Sequence, residues 1–148
     1  MTRPWHSWAR RNEHGSASLE AVVAVPAFAL FVGLIIFGGR TATTHQSVET
    51  AAADGARAAS IERTNSSARK AALDAANTSL RNQGVDCLDI DVTVDAGQFS
   101  RAVGQDATVS VTVTCRLDLS DLSVPGVPGS RLIKATITSP IDTWTERG

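Results

Sequence analysis

From Ala21 to Gly39 the chain runs nineteen residues without a charged or strongly polar side chain. As a helix rising ~1.5 Å per residue, that stretch reaches about 28 Å, close to the ~30 Å hydrocarbon thickness of a bilayer. Pro26 falls in its first third, where a membrane tolerates proline better than a soluble helix does, and it is expected to bend the axis. The competing reading is a cleaved signal peptide. Its apolar core is usually only ~7–15 residues long and is followed by a small-x-small cleavage site. Here Arg40 stands directly after Gly39 instead. A retained anchor fits better, and the 148 residues leave room for one modest domain beside it.

Charge gives the anchor a direction. Before Gly15 stand Arg3, Arg10 and Arg11 against Glu13, a net of +2, which leaves −3 for the rest of a chain whose total is −1. By the positive-inside rule the basic head stays cytoplasmic and the C-terminal body is exported. The balance carries no electrostatic footprint for nucleic acid. The expected organisation is a cytoplasmic basic leader over 1–15, a transmembrane helix over 16–40 and an exported head over 41–148.

Glu20 is the one charge at the edge of the apolar run. A carboxylate inside a membrane helix costs up to ~2.5–3.5 kcal/mol at mid-bilayer and less near the end, so it usually has a partner or reaches the headgroup layer. Gly15 suggests the partner. If a peptidase cuts between Gly15 and Ser16, Ser16 gains a free α-amine, and Glu20 lies one helical turn away at i,i+4. The pair can form within one chain or between adjacent subunits. Inside a helix bundle the low dielectric strengthens it. A pair that forms only in the correct axial register acts as an assembly gauge.

Basic leader, Gly15, four residues, Glu20 and an apolar helix together resemble a type IV prepilin leader. More narrowly, "RNEHGSASLEAVVAVPAFAL" resembles the start of TadE-like proteins, pseudopilins of the tight-adherence (Flp, type IVb) pilus system, at Gly15, Glu20, Ala21 and Pro26. Glu13-His14 stand where many members carry Arg or Asp-Arg, and "ATITSPIDTW" near the C terminus is a second, weaker echo. The resemblance implies a prepilin-peptidase cut after Gly15 and a role for Glu20 in processing or assembly. It also implies other pilins and an inner-membrane platform as partners, alongside membrane lipid.

Beyond Arg40 the composition favours continuation of the helix. Val48, Ala52, Gly55, Ala59 and Glu62 make one side of it small. Small faces let helices approach closely, which would suit a filament core or packing on the chain's own head. His45, with no evident acid or nucleophile beside it, reads as solvated. A second helix is expected from about Asn65–Ser67, residues able to cap it, to Gly84, with a stripe of Ala72, Leu73, Ala76 and Leu80.

Three alternating runs follow. Leu88, Ile90, Val92 and Val94 oppose Asp89, Asp91 and Thr93. Ala107, Val109, Val111, Val113, Cys115, Leu117 and Leu119 oppose a polar set, and Ile133, Ala135 and Ile137 oppose Lys134, Thr136 and Thr138. One apolar and one wet face describe an antiparallel sheet covered on one side, with "VPGVPG" at 124–129 as a turn-rich connection. The fold class is therefore α+β and pilin-like: a transmembrane helix extended outward, a second helix and a three-stranded antiparallel sheet.

If the head is exported, Cys87 and Cys115 are expected to bond. A regular cross-strand bridge needs both on one face, yet Cys87 has the polar parity of its run. The conflict disappears if Cys87 precedes the pleated segment, in the "QGVDC" loop.

Asp89, Asp91 and Asp95 form the one carboxylate cluster and read as a solvated strand face. No catalytic motif, metal-ligand spacing or cofactor fingerprint is present in the sequence. The expectation is a TadE-like minor pilin that is a peptidase substrate and no enzyme. The alternative is a single-pass protein whose small exported domain binds a partner without polymerising.

Overall fold

The computed structural model describes residues 14–122, 125–126, 128–142 and 144, with the backbone alone for 14–19. The order is α1 (His14–Ser60), α2 (Asn65–Asn82), β1 (Cys87–Asp95), a short 3-10 turn (Gly97–Ser100), β2 (Ala107–Asp118) and β3 (Ser130–Ile141). The three strands form one antiparallel sheet in the order β1-β2-β3. The α+β architecture expected from the sequence is the one observed.

α1 is a single helix of 47 residues, unbroken through Pro26, and about 70 Å long at ~1.5 Å per residue. Its lower part stands clear of the fold. Its upper part lies on the inner face of β2 and β3 and against α2. Val48, Ala51, Ala52, Ala56 and Ala59 are fully buried, facing a stripe of Ala68, Ala72, Ala76 and Leu80 from α2. The small face of α1 is therefore used within the chain's own head, which decides between the two roles open for it. Gly55 sits at the tightest point. A Cβ there would lie 3.1 Å from the Ala72 carbonyl oxygen and 3.2 Å from Val111 Cγ1. At the end of the expected face, Glu62 lies beyond the helix and is half-buried.

α2 starts at Asn65, where it is expected, but its cap is Thr64, one residue before the expected caps. Thr64 is extended, and its hydroxyl accepts the Ser67 N–H at 3.1 Å while Ser67 Oγ accepts the Thr64 N–H at 3.4 Å, a closed capping box. Asn65 is turned elsewhere, donating from Nδ2 to the Ala96 carbonyl at 2.7 Å. Beyond the other end Gly84 takes φ +62°, the left-handed conformation a helix C′ position favours. Ala68 replaces Leu73 in the stripe, because Leu73 is exposed on the flank of the helix.

β2, flanked on both sides, buries every second residue from Ala107 to Leu119, as its alternation requires. The edge strands keep the parity but not the burial. Leu88 and Ile90 are exposed and only Val94 of their face is buried, since α2 touches β1 little. In β3, Ile133 is buried while Ala135 and Ile137 are half-covered. The outer face is wet, with hydroxyl pairs Ser110–Thr138 at 2.7 Å and Thr112–Thr136 at 2.8 Å.

Cys87 and Cys115 are bonded, with Cα atoms 5.5 Å apart. The parity problem is solved differently from the expected loop placement: Cys87 is the first residue of β1. The register slips between Cys87 and Asp89, so Cys87 pairs with Leu117 and Asp89 with Arg116. That bulge takes up one residue and returns Cys87 to the inner face beside Cys115.

Candidate functional site

The candidate site is α1 from its start to the point where the head closes on it. The backbone is already helical at His14. Gly15 and Ser16 thus lie in the first turn, and Ser16 and Glu20 occupy i,i+4 positions on one face, about 6 Å apart along the axis. The leader residues 1–13 lie outside the described residues. Glu20 is exposed.

Above Glu20 comes a wall of apolar side chains with no protein on it. Val22, Phe28 and Ile35 are 72%, 68% and 58% exposed, and none of the most apolar stretch is buried. In water such a surface would be strongly unfavourable at ~25 cal/mol per Å² of apolar area. Against lipid tails it costs nothing, and the helix satisfies its own backbone except where Pro26 lacks an N–H.

The apolar stretch ends at a polar junction. Arg40 Nη1 donates to both carboxylate oxygens of Asp121, at 2.9 and 2.7 Å, the ion pair among the described residues. Asp121 belongs to the connection leaving β2, so this bond ties the helix at the end of its apolar run to the base of the head. A cleft of about 400 Å³ beside it is lined by Arg40, Thr44, Ser47, Gln83, Asp86 and Asp118 among others. Gln83 crosses it, donating from Nε2 to the Ser47 carbonyl at 3.4 Å. Asp118 is held below the usual carboxylate range, chiefly by the backbone N–H of Ser120, which it accepts at 2.9 Å.

Residues 15–57 match the family of TadE-like proteins. The matched span opens on Gly15 and closes within the buried upper part of α1. It covers under a third of the chain and none of α2 or the sheet. No curated protein and no solved structure matches the chain. The TadE-like segment and an apolar helix of membrane-spanning length support a Tad-pilus-related membrane protein.

Gly15, Ser16, Glu20 and Pro26 all lie on α1 within the TadE-like segment. Cys87 and Cys115 are far along the chain in the head, where the bridge fastens β1 to the central strand. His45 is exposed, as expected of a solvated residue. Of the acidic strand face, Asp91 accepts the Thr93 hydroxyl at 3.1 Å and Asp95 accepts the Gly97 N–H at 3.1 Å, both local bonds. Sequence reasoning missed the Arg40–Asp121 tether. Its partners are 81 positions apart, and nothing in either neighbourhood marks them as a pair.

Proposed function

We propose that the chain is a TadE-like minor pilin, with its basic leader in the cytoplasm and its head outside. A prepilin peptidase cuts it after Gly15, and the mature subunit joins or primes a Tad/Flp-type pilus or a related secretion machine. The observation that carries this reading is the position of Glu20, one turn beyond Ser16 at the foot of an apolar helix whose family match starts at Gly15. Cleavage would place a cationic amine beside that carboxylate and turn the cost of Glu20 into a register between subunits. The chain acts as substrate and structural part, with no catalytic role and no cofactor. Its partners are the peptidase, other pilins and the inner-membrane platform.

The second reading is a single-pass protein whose head binds one partner without polymerising. It is favoured by the fact that the small face of α1 is already occupied by the head, which removes that face from subunit packing. Intact mass of the protein from its native membrane separates the two: loss of Met1–Gly15 supports the first, and an uncut leader overturns it. Gly15→Leu should block maturation. Glu20→Ala should insert normally yet fail to co-isolate with other pilins. Normal co-isolation of that variant would remove the charge register while leaving cleavage intact.

A further inference from the structure

β1 and β3 each pair with β2 alone, so the sheet of the described residues ends in two edges. The edges carry opposite charge. On the wet face β1 presents exposed Asp89 and Asp91, and β3 presents exposed Lys134. Asp91 and Lys134 both pair with Thr114, from its two sides, and so stand at one level of the sheet. On the inner face Ile90 and Ile133 flank Cys115 in the same way, Ile90 exposed and Ile133 buried.

Side-chain bonds show which main-chain groups each edge offers. The Val94 carbonyl accepts from Arg69 Nη1 at 2.7 Å. By the two-residue period of a strand, the main chains of Ile90 and Val92 face the same outer side. On the other edge, Thr108 N–H donates to Gln98 Oε1 at 2.9 Å, away from β3. Pro140, opposite Thr108, therefore turns its backbone outward, and so do Thr136, Lys134 and Leu132 below it. Arg69 closes the top of the β1 edge, and Pro140 brings no N–H to the top of the β3 edge. Both edges are open at the lower end. One cleft joins that end, Asp86 and Leu117, to Arg40, and another joins Ala107 and Ile141 to Ser60. β1 and β3 thus both run in the direction of α1.

We propose that the β1 edge of one copy binds the β3 edge of a second copy in the same membrane, as a parallel strand pair. Copies inserted alike hold their strands parallel and at one height. Two β1 edges would then set Asp against Asp, and two β3 edges Lys against Lys, whereas β1 against β3 joins unlike charges. Moved sideways without change of height, the second copy brings its Lys134 beside Asp91 and its Ile133 beside Ile90. In that register Ile90 donates to the Leu132 carbonyl and accepts from the Lys134 N–H. Val92 donates to the Lys134 carbonyl and accepts from the Thr136 N–H. Each step between strands turns by ~20–25°, so the two copies differ by about 60–75°. Two anchors can share that turn within the ~0–40° tilt of spanning helices, and a third copy cannot. The contact therefore makes pairs. The inference rests on α1 spanning a membrane and is independent of cleavage after Gly15.

The test uses the full chain in lipid vesicles, Asp91→Cys in one batch and Lys134→Cys in another, with different tags. Under mild oxidation the mixture should give a disulfide-linked dimer carrying both tags, because facing residues of neighbouring strands lie within bridging distance. Thr112→Cys, on the wet face of the central strand, should link to either at least about tenfold less. No mixed dimer, or equal linking by Thr112→Cys, overturns the proposal. So does an Asp91→Cys batch that links to itself as readily as to Lys134→Cys. Energy transfer between copies labelled at the C terminus gives a readout without added cysteines. Asp91→Lys or Lys134→Asp should weaken association about fivefold, and the double exchange D91K/K134D should restore it. No recovery in the double exchange overturns the proposal. Alkaline extraction of the same vesicles keeps the two readings apart. A retained chain that does not cross-link overturns the pairing alone, and an extracted chain overturns the spanning reading and the pairing with it.

Discussion

The two halves of α1 are one helix under two sets of rules. Below Arg40 its large apolar side chains are mostly bare, and the glycines at its end sit in open space: a Cβ on Gly38 or Gly39 would meet nothing within 4 Å. Above Arg40 the side chains turned to the head are small and fully buried, and the Cβ missing from Gly55 would press on Ala72 and Val111. Lipid adapts to any apolar shape, so the lower half needs hydrophobicity and little else. A protein interior is close-packed, so the upper half needs particular sizes at particular places. The same residue type thus means opposite things some sixteen positions apart.

The widest separation between the halves should come from the disulfide. Replacing Cys87 and Cys115 by Ala opens a loop spanning 28 positions, and the chain-entropy model puts the loss at about 3–4 kcal/mol. Denaturant melts of the head should register this in full, while alkaline extraction should find the anchor as firmly inserted as before. Loss of membrane retention would mean that the halves are not independent.

Next comes a matched glycine pair. Gly55→Val forces branched volume against a backbone carbonyl and should cost the head about 1–3 kcal/mol or more. Gly38→Val should leave its melting unchanged. Similar effects at both sites would break the contrast outright.

A smaller effect is expected at the join. Arg40→Ala removes an ion pair whose side chains are 47% and 59% exposed, worth at most about 1 kcal/mol in the same melts. One helix position on, the Thr41 hydroxyl is buried without a hydrogen-bond partner. Thr41→Val should therefore be neutral or slightly stabilising, and a clear loss would reveal a bond that the fold hides.

The least effect is a pH dependence. Asp118 is depressed by the Ser120 N–H, so its small contribution is complete above the normal carboxylate range. It fades as the pH falls through the lowered value. Asp118→Asn should flatten the acid limb of the head's stability curve slightly, and an unchanged limb would show that the bond adds nothing.

Much of this was legible in the residues. The alternation in β2 gave its buried set without error because a central strand is covered along its whole length. The same alternation misled at Leu88 and Ile90, which stay exposed because the helices cover little of the edge strand. Leu73 failed for a related reason, since a helical stripe names a face and only the neighbour fixes its centre. At the candidate site, the Gly15–Glu20 spacing and the apolar run could be read directly, being local and periodic. Arg40 with Asp121 could not, because their meeting depends on where the whole head sits.

By itself the sequence determined the long apolar helix, the alternating strands, the glycine that ends α2 and the carboxylate at the foot of the apolar run. Each follows from hydrophobicity or backbone preference acting over a few neighbouring residues. Tertiary structure alone decided that the small face of α1 is used within the head, and that a bulge brings Cys87 round to Cys115. It also decided that the head reaches down to Phe37. Those outcomes turn on close packing between segments distant in sequence, where fit in three dimensions selects among arrangements that local chemistry leaves equal.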